Sequence, residues 1–170
     1  MSSPHSIPPW MVVAQELLGT KEVPGSSNNA KIMAWAKIIG GNIEDSYVAD
    51  SIPWCGLFAA FCVVQVGIDP VKDPLWALNW RIFGEKQQKP CFGSILTMTR
   101  QGGGHVGFVV SQDATHWHLL AGNQSDEVNV TRISKEIAVK FNFPKGFDEF
   151  KKPLPFKKFD GKSTTTLKFD

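Results

Sequence analysis

The spacing of apolar residues changes near residue 90, and this change constrains the fold more than any other feature of the sequence. Before it, apolar side chains recur at helical intervals in 9–18, 32–39 and 54–66, with a shorter helical piece at 75–80. After it, short apolar runs at 92–98, 106–111, 117–121 and 128–133 predict four strands. Helices followed by an antiparallel meander predict an α+β domain.

Length and composition are those of an ordinary globular protein. A chain of 170 residues suits one domain, and a net charge of +2 gives no reason to expect nucleic-acid binding. No stretch has the length of a membrane span, and the N-terminus lacks the pattern of a secretory signal, so we expect synthesis in the cytoplasm, no membrane partner and a monomer. We place the domain at 1–150 and a basic, aromatic tail at 151–170, which is a last strand, a docking arm or a loosely ordered segment.

Cys55 stands where the third helix is expected to begin. Asp50 and Ser51 are candidate caps, Pro53 suits a helix start, and a long apolar run follows. A cysteine at this place is close to unpaired backbone N–H groups and the positive end of the helix dipole, which favour the thiolate. The three cysteines are too few for a disulfide framework, although a Cys62–Cys91 bridge stays open.

His105 follows three glycines and opens a predicted strand, about fifty residues after Cys55. A helix-start cysteine and a strand-start histidine are the arrangement of a thiol hydrolase, which needs a third group to orient the imidazole. If His105 lies opposite Asn123, Asn123 is that group, and Gly107 and Val109 share the face that packs against the Cys55 helix. A shift of one residue would favour His118 instead.

Three motifs in order resemble the papain-like peptidoglycan hydrolases of the NlpC and CHAP type. They are Pro-Trp-Cys-Gly at 53–56, Gly-Gly-Gly-His-Val-Gly-Phe at 102–108 and Gly-Asn-Gln at 122–124, and the likeness covers about residues 9–135. One departure is Gly93-Ser94, where relatives often have Gly-Asp.

The resemblance implies a papain-like fold and cleavage of an amide bond in cell-wall peptides by an amidase or endopeptidase. Cys55 and His105 match the nucleophile and base, and Asn123 matches the third residue less closely. Members without a signal peptide are commonly phage lysins or toxins delivered by a secretion machine, which act at the bacterial wall. A delivered toxin implies a cognate immunity protein.

Other residues have weaker assignments. Trp54, Tyr47, Gly104 and Glu22 are candidates for substrate binding, with core packing or turn formation as the alternative for each. No cofactor or metal is predicted, because His116 and His118 have no further predicted ligand. The alternative function is a catalytically silent binding module. Trp76 and Trp80 are four residues apart, so we expect them to share a helix face and pack in the core.

Overall fold

The computed structural model describes residues 7–159 and 163–165, which form helices packed on an antiparallel sheet. The helices are α1 (Pro9–Glu16), α2 (Ala30–Ile39), α3 (Asn42–Ser46) and α4 (Cys55–Val64), and two 3-10 helices span Ala77–Ile82 and Asp148–Phe150. The strands are β1 (Glu85–Gln87), β2 (Ile95–Arg100), β3 (Gly103–Gln112), β4 (His116–Gln124), β5 (Glu127–Ser134), β6 (Val139–Phe143) and β7 (Ser163–Thr164). The predicted α+β class is confirmed.

The sheet is built around the predicted meander. Its order is β1-β6-β2-β3-β4-β5-β7, so β2 to β5 are neighbours in chain order, and every pair is antiparallel. β1 and β6, which the sequence analysis did not predict, extend the sheet beyond β2. The short helix α3 was also missed, because its segment was expected to be a loop.

The helix α4 forms the centre of the larger core. Its residues from Cys55 to Val63 are all buried, and its apolar sequence leaves no polar face to turn toward solvent. It packs on the sheet face that carries Val106, Phe108 and Leu120, where the rings of Phe58 and Phe108 lie 6.1 Å apart. The site at the start of α4 is therefore held between a buried helix and the centre of the sheet.

The prediction of which face of β3 packs against α4 is wrong. Gly107, Val109 and Leu119 belong to the opposite face of the sheet, where they pack with a second, smaller core. The register places Phe108 opposite Leu120, and both side chains point toward α4 instead. Large side chains from β3 and β4 fill the space under the helix, because α4 supplies no polar groups to meet there.

The described part of the tail packs on the sheet. The Phe92 amide donates to the Lys152 carbonyl, and Gln112 exchanges backbone hydrogen bonds with Pro155 and Lys157. β7 pairs with β5, and Leu154 is buried in the second core. Of the three alternatives for this segment, residues 151–159 and 163–165 fit a docked arm that ends in a strand, whereas 160–162 and 166–170 lie outside the described residues.

Neither a disulfide nor a membrane-spanning helix is found in the described part of the chain. Cys55, Cys62 and Cys91 are all free thiols, so the Cys62–Cys91 bridge is absent. Among the residues with described positions, none of the helices is both long and apolar enough to cross a bilayer.

Candidate active site

The first turn of α4 is not capped by a side chain. Trp54 is the N-cap residue, and its side chain makes no capping hydrogen bond. The expected cap Asp50 instead accepts hydrogen bonds from the Val23 and Asn29 amides at 2.9 and 2.7 Å. Its carboxylate binds backbone amides of an earlier loop, and no side-chain cap occupies the backbone N–H groups at the start of α4.

Cys55 is buried, and burial decides the state of its thiol. The residue is only 3% exposed, and desolvation raises its pKa above the usual value. Hydrogen bonding from the backbone N–H groups of Val106, Gly56 and Cys55 itself acts in the other direction, as does the Arg100 charge. The expectation of a resting thiolate is therefore wrong, because removal from water outweighs the helix start.

His105 lies on β3 with its imidazole completely enclosed. It is 1% exposed, and its Nε2 lies 3.1 Å from Oε1 of Gln124. Burial lowers its pKa to about 4, since the charged ring would lose its hydration. The ring is consequently neutral at pH 7.

Gln124 fixes which nitrogen of His105 carries the proton. The Gln124 side-chain NH₂ donates to the Asn129 carbonyl at 2.8 Å and to Asn129 Oδ1 at 3.0 Å, so its Oε1 is left as the acceptor. Asn129 returns a hydrogen bond from Nδ2 to the Gln124 carbonyl at 2.9 Å. His105 must then donate from Nε2–H, and its Nδ1 holds the free lone pair.

Gln124, rather than Asn123, is the partner of His105, which corrects the choice of orienting residue. Asn123 has φ 57°, and the pairing of β4 with β5 shifts between Ala121 and Gln124. A bulge of this kind adds one residue to a strand and changes the face on which later side chains lie. The Gly-Asn pair at 122–123 was the available signal, because asparagine tolerates the left-handed conformation.

The alternative orienting residue, His118, belongs to a different cluster. Its Nδ1 lies 2.6 Å from Ser111 Oγ and its Nε2 2.8 Å from Asp113 Oδ2, an oxygen that also accepts from Arg132. These bonds occupy both ring nitrogens, so His118 does not orient His105. Across the described residues there is no group of three or more His, Cys, Asp or Glu side chains arranged to hold a metal ion.

No hydrogen bond joins Cys55 to His105 Nδ1, and the two residues are related through Val106. Met98, which pairs with His105 across β2 and β3, packs in the second core, so His105 projects from the face of the sheet opposite to α4. The paired region of β3 and β4 ends at Phe108 and Leu120, so Val106 lies outside it and its N–H interacts with the Cys55 thiol. Burial is the main influence on the pKa of both Cys55 and His105, and the charge of Arg100 is a smaller one. His105 Nδ1 has no hydrogen-bond partner, the Cys55 sulfur included. Catalytic hydrogen bonds in substrate-free enzymes are often long and shorten when substrate binds.

The segment 74–82 covers this site, and we call it the covering segment. A Cβ on Gly56 would lie 2.1 Å from the Pro74 carbonyl oxygen, and one on Gly104 would lie 2.6 Å from the Leu78 side chain. The segment therefore touches both the start of α4 and the strand residue before His105. Trp80 is fully buried and Trp76 is 74% exposed, so the expectation of a shared face is wrong. The reason is that Trp76 precedes the helix, whose 3-10 geometry also separates them.

The other predicted binding residues form a buried cluster beside α4. The Trp54 indole donates from Nε1 to Glu22 at 3.0 Å, and the Tyr47 hydroxyl donates to the Ile52 carbonyl at 3.3 Å. Burial, followed by the charges of Asp50 and Glu22, raises the pKa of Tyr47. These contacts account for the residues structurally, while Gly104 is the one that lies directly beside His105.

Comparison with known proteins gives no relative for this chain. No protein-family model matches it, and no curated protein or solved structure is significantly similar. The function must therefore be argued from the site itself.

Proposed function

We propose that this chain is a papain-like cysteine hydrolase that cleaves an amide bond in the peptide stem of bacterial peptidoglycan. The observation that carries the proposal is the enclosed His105, whose Nε2 proton is held by Gln124 and whose open Nδ1 lies on the residue next to the one that contacts Cys55. A buried imidazole with one fixed proton and one free lone pair is suited to act as a general base.

The reaction begins from a neutral pair. The pKa of Cys55 is raised and that of His105 is lowered to about 4, so the resting site holds a thiol and a neutral imidazole. This mechanism requires Cys55 Sγ and His105 Nδ1 to come within hydrogen-bond distance when substrate binds. His105 Nδ1 then takes the thiol proton as Cys55 Sγ attacks the amide carbonyl, and the charges form only when substrate is present. The uncapped N–H groups at the start of α4 stabilise the developing oxyanion.

Collapse of the tetrahedral intermediate breaks the C–N bond. His105 gives its proton to the leaving amine, and a thioester remains on Cys55. Water then attacks the thioester as His105 removes its proton, which releases the carboxylic acid and restores the thiol. Gln124 holds His105 in the required tautomer throughout, so it acts as a positioning residue.

The substrate class comes from the resemblance of the three motifs to NlpC and CHAP hydrolases. The amide of a muramoyl peptide or of the stem peptide fits a thiol nucleophile without a cofactor. As a phage lysin or a delivered toxin, the protein would reach the wall by lysis or by transport, and a toxin would have an immunity protein as its partner.

The test is mass spectrometry of purified peptidoglycan after digestion. Wild type and Cys91→Ala should both produce new muropeptides, and Cys55→Ala and His105→Ala should produce none. Cys91 is a matched control because it is a free thiol outside the site. The fragment masses would identify the cleaved bond. Activity retained by folded Cys55→Ala would refute the proposal.

A silent binding module is the second candidate, and the burial of the site favours it. Cys55 and His105 are only 3% and 1% exposed, with no hydrogen bond between Cys55 and His105 Nδ1. A binding module would sediment with insoluble peptidoglycan without releasing fragments, and Cys55→Ala would bind as well as wild type. Fragment release by wild type decides against this candidate.

A further inference from the structure

A cavity of about 780 Å³ lies at the far end of the covering segment from Cys55. Its walls come from the end of the 3-10 helix Ala77–Ile82, from β1 and from β6. The side chains that matter for the argument are Arg81, Lys86, Lys140 and Asn142. None of these residues takes part in the chemistry proposed for Cys55.

The cavity is positively charged and uncompensated. Arg81, Lys86 and Lys140 line it, and no acidic residue does. Among the described residues, these three cations form no ion pair. The nearest acid in sequence, Glu85, is paired with Lys151. Three cations that converge without a carboxylate favour an anionic ligand.

Two buried polar atoms of residues that line the cavity lack hydrogen-bond partners. Asn142 donates from Nδ2 to the carbonyls of Arg81 and Phe83, at 3.1 and 2.9 Å, which leaves its Oδ1 as an unsatisfied acceptor. Arg81 donates from Nη2 to Thr99 at 3.0 Å, and its Nε is an unsatisfied donor. Both atoms are shielded from solvent, so a ligand that pairs with them requires the partly exposed Arg81 side chain to shift. A buried donor and acceptor without partners are costly until a ligand pairs with them.

The end of a peptide chain can pair with both the three cations and the free acceptor of Asn142. The end of a peptide carries a carboxylate, which suits Arg81 and the two lysines, and an amide N–H one residue unit away, which suits Asn142 Oδ1. A bare inorganic anion would leave that acceptor facing negative charge.

The position of the cavity relates it to the candidate active site. Arg81 contacts Thr99, whose partner across β2 and β3 is Gly104, the residue before His105. Lys140 on β6 pairs with Thr97 on β2, and Thr97 pairs with Val106 on β3. Lys140 therefore lies two strands from the residue whose N–H interacts with the Cys55 thiol. Neighbouring strands are about 4.8 Å apart, so this separation is roughly 10 Å, the span of three extended residues.

We propose that this cavity binds the free C-terminal carboxylate of a peptide about three residues from the bond that Cys55 attacks. This assignment as a substrate subsite depends on the proposed hydrolase function, whereas carboxylate binding itself does not. The enzyme would then prefer stem peptides with an unamidated, uncrosslinked end.

Calorimetric titration of the Cys55→Ala protein tests the binding without any need for catalysis. The probes are N-acetyl-D-alanyl-D-alanine, the same dipeptide with a C-terminal amide, and inorganic phosphate. We expect the free acid to bind about tenfold more tightly than the amide or phosphate. The double variant Lys86→Gln/Lys140→Gln should lose about tenfold in affinity for the acid, and Lys37→Gln, an equal charge change on α2, should lose none.

Each opposing result has a definite meaning. Equal affinity for acid and amide, or no effect of the double lysine variant, overturns the proposal. Phosphate that binds as tightly as the dipeptide acid also overturns it, because the cavity would then be a general anion site. Both lysines are exposed, so their substitution should leave the thermal unfolding midpoint unchanged and test recognition alone. If the acid binds as expected but wild type releases no muropeptides, the hydrolase proposal fails and the carboxylate site stands.

Discussion

At the level of single residues, the His105 ring is held by a chain of hydrogen bonds from the side chains of β4 and β5. Gln124 contacts the ring, Asn129 fixes the amide of Gln124, and Thr131 donates to Asn129 Oδ1 at 2.9 Å. Because every link has a defined donor, the protonated nitrogen of His105 is determined two residues away from the ring. Neither Asn129 nor Thr131 was predicted, since only the fold brings them to Gln124.

Replacing Asn129 with alanine should remove the constraint on which nitrogen of His105 is protonated. We expect the variant to show a mixture of His105 tautomers, because Gln124 can then rotate its amide, and to lose about 1–3 kcal/mol of stability. Nitrogen-15 NMR of the imidazole measures this directly, with wild type showing protonated Nε2 and bare Nδ1.

Thr131→Val is the matched control for this experiment. It removes only the outermost hydrogen bond of the chain, so the tautomer of wild type should persist. A folded Asn129→Ala protein with an unchanged His105 spectrum would show that Gln124 needs no support.

The thiols should differ in reactivity in the order set by burial. At pH 7 we expect iodoacetamide to modify the half-buried Cys91 before Cys55, because the Cys55 thiol is covered and its raised pKa leaves little thiolate. Peptide mapping at timed intervals gives the order. Preferential labelling of Cys55 in the free protein would contradict the neutral resting pair.

The sequence selected Cys55 and His105 as candidates but did not predict the burial of either group. Motif and position were enough to select the pair, because a helix start and a strand start are readable from local patterns. The sign of the Cys55 pKa change depends on burial by distant segments, which no local pattern reports. The partner of His105 depended on a single bulge residue, Asn123.

At the level of elements, the contact between α4 and the covering segment depends on Gly56. A methyl group there would press against the backbone oxygen of Pro74, which has no rotamer with which to move away. The segment must then separate from the helix for any larger side chain to fit. Because backbone packs directly on backbone here, position 56 has no room for a side chain larger than that of glycine.

We therefore expect Gly56→Ala to lower the free energy of unfolding by about 1–3 kcal/mol. Gly104→Ala should cost less, because its neighbour is the Leu78 side chain, which can change rotamer. Urea unfolding of both variants measures the difference. Equal stability of Gly56→Ala and wild type would mean that the covering segment moves away at little cost.

The elements differ in how well local sequence predicts them. The helices α1, α2 and α4 and the four central strands have regular apolar spacing and were predicted. The strand β6 was missed although Val139, Phe141 and Phe143 alternate with polar residues, so its signal was present. Trp76 and Trp80 were assigned one face because an α-helical period was applied to a 3-10 segment.

For the whole molecule, His105 links stability to acidity. Its pKa is about 4 in the folded protein and near 6.5 when unfolded, so the unfolded chain binds the extra proton between these values. Stability is therefore present in full above pH 6.5 and decreases as the pH falls toward 4. The limit of this effect is roughly 3 kcal/mol.

Urea unfolding from pH 7 to pH 4.5 should show this decrease in the free energy of unfolding. The His105→Gln variant should have a smaller slope of unfolding free energy against pH. Asp113 acts in a lower range, because hydrogen bonds from His118 and the Thr115 amide, together with Arg132, hold its pKa well below the usual value. Its contribution is lost only as the pH falls below about 4. A slope that is unchanged in His105→Gln would assign the acid sensitivity to another group.

The enclosure of Cys55 also determines how the protein withstands oxidants. Peroxides attack thiolates that they can reach, and Cys55 is both protonated and covered by the segment 74–82. Cys91 meets the oxidant first and lies outside the candidate site. The Cys55 thiol should therefore outlast Cys91 when the folded protein is exposed to peroxide.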